Sequence, residues 1–388
     1  MSGSEGRKRI VFVGGGHAHL YGLKRAGELV ARGAEVTLVA PHRHHYYSGM
    51  GPGLLSGLYR PEDARVDVEA LAAAGGCAFV EDRVVGVDAA ARVLRLAGGA
   101  ELSYDWVSFN TGSRVPLERI SGADGEAIPV KPIENMLELR ARVLAGRRGE
   151  PFRVLILGGG PAGVELAGNL WRLGRAEEVR VDVTLWEAGD RLLPALPRRA
   201  ADRARRSLEG RGVAVRTGRK ARSLGQGKAR AASGETLSYD VAVLTVGIVP
   251  HELFRLSELP VGPDGGLLVD AFLRSPKHPE VFGGGDCVRF GPKPLPRVGV
   301  YAVREGRVLF RNIRAALEGR PLEPFRPQKR YLLILNLGDG TGLATWGRWT
   351  AGGAWALRWK DRLDRSFMGR FQVSGEGAAP RTPEEKAR

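Results

Sequence analysis

Cysteine is nearly missing from this chain: Cys77 and Cys287 are the only two among 388 residues. They stand far apart, which excludes a disulfide framework and any Cys-x-x-Cys metal or redox motif. Nor is there an apolar run of about 18 residues, the length a spanning helix needs. The opening MSGSEGRKR lacks the apolar stretch of a secretory signal, so the expected location is cytoplasmic. Acidic residues are the minority, 43 against 59 Lys and Arg, giving a formal charge of +16. Such an excess attracts anionic surfaces. Arginine is nevertheless spread along the whole chain, and no basic run has the form of a nucleic-acid module, so no nucleic-acid partner is expected.

What the chain has in quantity is glycine, placed where apolar strands end. Ile10, Val11, Phe12 and Val13 lead into Gly14, Gly15 and Gly16, followed by His17, Ala18 and His19. A buried strand that turns on glycines into a helix brings backbone N–H groups and the positive helix end up to a pyrophosphate. The third glycine of G-x-G-x-x-G is absent, since His19 holds its place. A second copy is complete: Val154 to Leu157 lead into Gly158, Gly159, Gly160, Pro161, Ala162 and Gly163. Two such loops predict two dinucleotide sites.

Each loop has companions. The helix Leu20 to Arg32 and the strand Val36 to Val39 follow the first, but Ala40 and Pro41 stand where a ribose-binding acid is usual. Imidazoles are the expected substitute, namely His17, His19 and His42, acting with backbone groups. Five of the seven histidines lie between 17 and 45, yet no carboxylate or cysteine cluster accompanies them, and no metal is expected. Tyr46 to Gly57 reads as a segment folded over a planar ligand, or else a surface turn. Val66 to Leu71 reads as helix, Asp124 to Pro129 as a connector, and Pro132 to Leu144 and Val300 to Leu317 as helices. After the second loop, Val181 to Trp186 ends in Glu187, a carboxylate suited to both ribose hydroxyls of NADH. It disfavours the 2′-phosphate of NADPH, although Arg191 leaves that choice open.

Trp106 to Phe109 runs into Asn110, Thr111 and Gly112, and Tyr239 to Val246 into Gly247, so each unit closes on a similar turn. Gly285 and Asp286 in VFGGGDC suit a polyol chain at close range. Two residues are candidates for chemistry. Glu165 stands in the first turn of the second loop's helix, where the alternative role is to complement the helix dipole. Lys131 stands where the two units join, where the alternative is a solvated lysine. Cys287 reads as a packed thiol.

These patterns give an α/β protein with two Rossmann-like dinucleotide-binding domains and a small C-terminal α+β region. The expected boundaries are a disordered lead at 1–8, a discontinuous first domain at 9–125 and 260–325, and a second at 126–259. A C-terminal domain at 326–374 and a disordered tail at 375–388 complete the chain. The C-terminal region carries Trp346, Trp349, Trp355 and Trp359 beside the basic stretch Lys360 to Phe371. That combination suits a membrane interface or, equally, a packed or subunit-facing helix. Both monomer and homodimer are compatible with it.

Taken together, these residues resemble the two-dinucleotide-domain flavoproteins of the pyridine nucleotide-disulfide oxidoreductase superfamily, whose fold is that of glutathione reductase. The branch that looks nearest contains type II NADH:quinone and sulfide:quinone oxidoreductases. GGGHAH, YSGMGPG, VKPIEN and KDRLDRSFMGRF are similar to the flavoprotein domain fused to selenide, water dikinases. The resemblance implies FAD at Gly14, Gly15, Gly16, His17, Ala18, His19, His42, Asn110, Thr111, Gly112, Gly285 and Asp286. It implies NADH at Gly158, Gly160, Pro161, Ala162, Gly163, Glu187 and Gly247. Because a cysteine pair is lacking, it implies hydride transfer from NADH to FAD and then to a quinone or other small acceptor. Selenium- or sulfur-linked redox chemistry and a non-catalytic nucleotide sensor are the alternatives.

Overall fold

The computed structural model describes residues 7–146 and 150–376. The expected disordered lead and tail lie outside these residues except at their inner ends, where Lys8 already opens a strand.

Two five-stranded parallel sheets carry the architecture. In the first the order is Val281–Gly283, Trp106–Phe109, Lys8–Val13, Ala34–Ala40, Ala78–Glu81. In the second it is Ala127–Pro129, Val241–Leu244, Phe152–Leu157, Val181–Trp186, Ala214–Arg216. The inner arrangement repeats, with the glycine-loop strand at the centre and the turn strand beside it. Ile10 to Val13 and Val154 to Leu157 are all buried, as central parallel strands are, which is why they read as unbroken apolar runs.

The fifth strand arrives from opposite directions in the two units. The first sheet recruits it from the chain returning at Val281, the second from the chain leaving at Ala127. Ala127–Pro129 is therefore an edge strand paired with Val241–Leu244 and not part of a connector. Pairing satisfies backbone groups that a free linker would leave to water. Each unit also holds a three-stranded antiparallel sheet. That of the second, Ala221–Gly225, Lys228–Ala231 and Thr236–Ser238, was not expected, because its middle strand buries only Ala229 and Ala231 and lacks β-branched residues.

Several helices differ from their expected limits. The first starts at His17, straight from the glycine loop, and ends at Lys24, with Gly27–Val30 forming a separate short helix. Gly22 and Gly27 weaken a continuous helix over Leu20 to Arg32. Val66 belongs to the strand Arg65–Asp67, and the helix is Val68–Ala74, capped where the Asp67 carboxylate accepts the Ala70 N–H at 2.9 Å. Within Tyr46 to Gly57, Tyr46 closes the strand His44–Tyr46 and Gly51–Leu55 is a buried helix, so the segment is not a surface turn. Asn135–Leu144 and Gly299–Leu317 are the remaining helices in question.

The C-terminal region is an antiparallel sheet of Leu332–Asn336, Gly342–Trp346 and Trp349–Gly353, followed by the helix Ala354–Met368. This tail packs on the second loop's helix, Pro161–Ala176, backbone against backbone. A Cβ added at Gly168 would lie 2.0 Å from Leu337 O, and one at Gly338 would lie 2.0 Å from Gly168 O. A buried amide network closes the seam. Ser56 Oγ donates to Asn169 Oδ1 at 2.8 Å, Asn336 Nδ2 donates to the same oxygen at 3.1 Å, and Asn169 Nδ2 donates to Asn336 O at 3.2 Å. First unit, second unit and tail thus meet at one point.

Candidate active site

The first loop is held from behind. Gly14 has φ +92°, and a Cβ there would come within 2.3 Å of Asn110 O. Asn110 staples two segments together, its Oδ1 accepting the Ala18 N–H at 3.1 Å and its Nδ2 donating to Gly284 O at 2.7 Å. Gly112 follows with φ +72°. Thr245 does the same work in the second loop, where its hydroxyl bridges to Leu157 O and Gly158 O at 2.9 and 2.8 Å. Gly160 precedes that loop's helix, Pro161 opens it, Ala162 and Gly163 lie in its first turn, and Gly247 turns at φ +53°.

The expected imidazole clamp needs correcting. His19 is fully buried, and its ring nitrogens contact Gly14 O at 2.6 Å and Ser108 Oγ at 2.8 Å. Both are spent inside the protein, so His19 braces the loop where a third glycine would have left space. His42 lies exposed past the strand end. His17 is different: Nδ1 lies 3.3 Å from His45 Nε2, while its own Nε2 is buried without a partner. Thr111 Oγ1 is likewise buried and unpartnered. Burial lowers the His17 pKa to about 4, against the pull of Asp286 and assisted by Lys131. His17 is therefore neutral at pH 7. The two orphaned polar atoms, on the loops that converge at the positive end of the first helix, fit FAD, which supplies the acceptors they lack.

Asp286 sits at the same place. Its Oδ2 accepts Lys131 Nζ at 2.7 Å and Ser113 Oγ at 2.9 Å. Burial opposes its charge, yet Lys131 and Ser113 outweigh burial and hold its pKa below the usual carboxylate range. Lys131 is thus neither solvated nor free, but ion-paired. Gly285 has φ +79° and donates its N–H to Glu305 Oε2 at 2.6 Å. Glu305 was not anticipated. Its only sequence signal is a carboxylate on the apolar face of Gly299–Leu317, and burial raises its pKa to about 7.

Glu187 accepts N–H groups from Gly159 and Gly189, each at 2.6 Å. It lies at the mouth of the second loop, as a ribose-binding carboxylate should. Arg191 is turned to the carbonyls of Leu193, Pro194 and Leu196, all within 3.2 Å.

Glu165 faces the seam with the tail. Its Oε1 accepts the Asn336 N–H at 2.7 Å. Burial raises its pKa to about 7, opposed by Lys360 and the Asn336 N–H and reinforced by Asp364. Lys360 donates to Asp364 Oδ2 and to Gly49 O, both at 2.6 Å, and Tyr47 donates to Asp364 Oδ1 at 3.2 Å. The Tyr47 and Phe367 rings pack tilted at 4.8 Å, and Phe367 stacks on His17 at 5.9 Å. Two carboxyls, an ammonium and an aromatic wall therefore adjoin the first loop.

Both thiols are buried. Cys287 lies against Phe109 O and Gly284 O, and burial pushes its pKa up to about 11 and that of Cys77 to about 12. Among the described residues, His44, Asp67 and Glu376 bring ligand atoms within 4.8 Å of one another. Asp67 is already engaged by Arg43 and the Ala70 N–H, so it acts as helix cap and ion-pair partner.

The family model for pyridine nucleotide-disulphide oxidoreductases matches residues 8–306. The chain belongs to that family. It is 26% identical to a demethylphylloquinone reductase, NdbB, of Synechocystis, over 89% of this chain and 88% of that protein. It is also 26% identical to a type II NADH:quinone oxidoreductase of Staphylococcus epidermidis, over 90% and 92%. Among solved structures, NDH2 of Plasmodium falciparum in complex with NADH superposes with a TM-score of 0.79 over 95% of this chain and 99% of that one, at 15% identity. These relatives lie in the branch that the motifs pointed to. The likeness to the kinase-fused flavoprotein domain rests on the short motifs alone.

Proposed function

We propose that this protein is an FAD-dependent NADH dehydrogenase that passes its electrons to a quinone, with Glu165 and Lys131 in the chemistry. The observation that carries the reading is the place of Glu165. The helix that opens on the second dinucleotide loop presents it to a buried junction lined by Tyr47, Lys360 and Asp364, beside the first loop. A carboxyl with pKa near 7 there is suited to give up a proton as the acceptor is reduced. Relatives of nearly full length that are named for quinone reduction support the same acceptor class.

FAD, when bound, supplies the two-electron carrier between NADH and acceptor. The protein's part is binding, orientation and proton supply. Glu187 and the loop Gly158 to Gly163 hold NADH, and the first loop with His17, Thr111 and Gly285 holds FAD. Asp286 takes a polyol hydroxyl while Lys131 keeps positive charge beside it. Both thiols, buried and with raised pKa, stay out of the reaction.

The outward face of the helix Ala354–Met368, together with the strand ends at Trp346 and Trp349, extends the reading. Trp346, Trp349, Trp355, Trp359 and Leu363 are between 41% and 49% exposed, and Arg358 and Arg362 alternate with them. Exposed tryptophans beside arginines suit the headgroup region of an anionic bilayer, where a lipid-soluble quinone resides.

The test is NADH oxidation by the FAD-loaded protein with a water-soluble quinone. Turnover with quinone, and loss of most of it in Glu165→Gln, is the expected result. Protein that holds FAD and oxidises NADH with ferricyanide, but reduces no quinone, would reject the acceptor.

A further inference from the structure

His17 opens the helix His17–Lys24, and His45 sits in the middle of the strand His44–Tyr46, which pairs with Arg65–Asp67. The two imidazoles meet edge to face, ring centres 5.0 Å apart at 88°, with His45 Nε2 3.3 Å from His17 Nδ1. Tyr47, centred 5.3 Å away, and Phe367, stacked at 5.9 Å, close on the same His17 ring. Three neighbours therefore fix its plane. Its Nε2, across the ring from the His45 contact, is buried with no protein partner.

A neutral imidazole carries one N–H and one bare nitrogen. Both rings are neutral at pH 7, since burial, with Lys131 adding to it, lowers the pKa to about 4 for His17 and about 3 for His45. One of the two facing nitrogens must then bear hydrogen and the other must be bare, which leaves two arrangements. If His17 Nδ1 donates, His17 Nε2 is bare and turns a lone pair to the cofactor site. If His45 Nε2 donates, His17 keeps its proton on Nε2 and turns a donor to that site.

The site itself decides between them. It lies at the positive end of the first helix, among glycine N–H groups suited to an anion. The pyrophosphate oxygens and ring carbonyls of FAD accept hydrogen bonds, and a bare imidazole nitrogen facing them would leave both sides unmet.

We propose that His45 is a positioning residue: by donating from Nε2 to His17 Nδ1, it holds His17 in the Nε2–H tautomer, so that His17 enters the cofactor site as a hydrogen-bond donor. This rests on the FAD reading above and deepens it, and it does not depend on the electron acceptor. A histidine at the head of the loop helix is thus given its sense by a second histidine on a separate strand.

The experiment records long-range ¹H–¹⁵N correlations of ¹⁵N-histidine-labelled protein loaded with FAD, with His17 and His45 assigned through His17→Phe and His45→Phe. The expected spectrum shows both rings protonated on Nε2. A His17 ring protonated on Nδ1 would overturn the proposal, and this reading needs no variant that folds differently from the wild type.

FAD affinity, measured by titrating the stripped protein, supplies the second arm. His45→Phe keeps a ring but removes the donor, and should weaken binding about fivefold, the worth of one hydrogen bond. His45→Gln replaces the donor with an amide N–H and should stay within about twofold of wild type. In a His17→Phe background, His45→Phe should cost less than about twofold, because His45 acts through His17. Equal losses in the two backgrounds, or a His45→Gln protein as weak as His45→Phe, would show a packing role only and overturn the proposal. Protein that takes up no FAD rejects the function proposed above as well, whereas protein that holds FAD with His17 in the other tautomer rejects this inference alone.

Discussion

Lys131 Nζ lies 2.7 Å from Asp286 Oδ2, and this ion pair ties the edge of the second nucleotide sheet to the glycine turn of the first. Lys131 follows the strand Ala127–Pro129, and Asp286 follows Val281–Gly283. Removing the lysine leaves a largely buried carboxylate with only Ser113 to meet it. Lys131→Met should therefore cost about 1–3 kcal/mol in urea unfolding at pH 7 and weaken FAD retention. The sign with pH follows from the depressed Asp286 pKa. Its contribution is present above the ordinary aspartate range and is lost as pH falls through the lower folded value. The gap between wild type and variant should stay constant from pH 8 to about 5 and close only in stronger acid.

His19→Gly restores the glycine pattern of the first loop and should nonetheless harm the protein. It strips partners from Gly14 O and Ser108 and opens a cavity against Phe12. A loss of about 2–4 kcal/mol is expected from chemical denaturation. His19 also has a pH signature. Burial lowers its folded pKa to about 4 against the Gly14 contact, below the ordinary 6.5. The unfolded chain therefore binds more protons between these values, and stability falls as pH drops from 6.5 toward 4. That slope should be shallower in the glycine variant.

The proposed role of Glu187 in the choice of nucleotide rests on a carboxylate already oriented by two N–H groups. Wild type should show kcat/KM for NADH at least about tenfold above that for NADPH. Glu187→Ser should narrow or reverse the ratio mainly by lowering the NADH value, as steady-state kinetics with both nucleotides will show. Equal values in the wild type would contradict the role.

The double variant Cys77→Ala, Cys287→Ala should keep NADH-dependent turnover within about twofold of wild type if it folds. Iodoacetamide at pH 7.5 should leave native protein unmodified, as mass spectrometry would detect, because buried thiols with raised pKa offer little thiolate.

The two dinucleotide loops and Glu187 were legible in the sequence because their signal is local, an apolar run followed at once by glycines or by an acid. Ala127–Pro129 was not, since an edge strand of three residues is defined by its partner more than a hundred positions later. His19 read as a ligand because a histidine in a phosphate loop has one obvious use. Ser108, which claims its Nε2, is invisible until the strands are paired. Glu165 stands out as a candidate by its place in the loop helix, whereas Lys360 and Asp364 come from a stretch that reads only as an amphipathic basic helix. Which face of that helix points inward depends on packing and not on spacing.

The glycine seam between Gly168 and Gly338 binds the fate of the tail to that of the second loop's helix. With no room for a methyl group on either side, the tail's first turn and the helix that bears Glu165 and Asn169 must be inherited together. A chimera that grafts this tail onto a related enzyme will need to carry the helix Pro161–Ala176 with it.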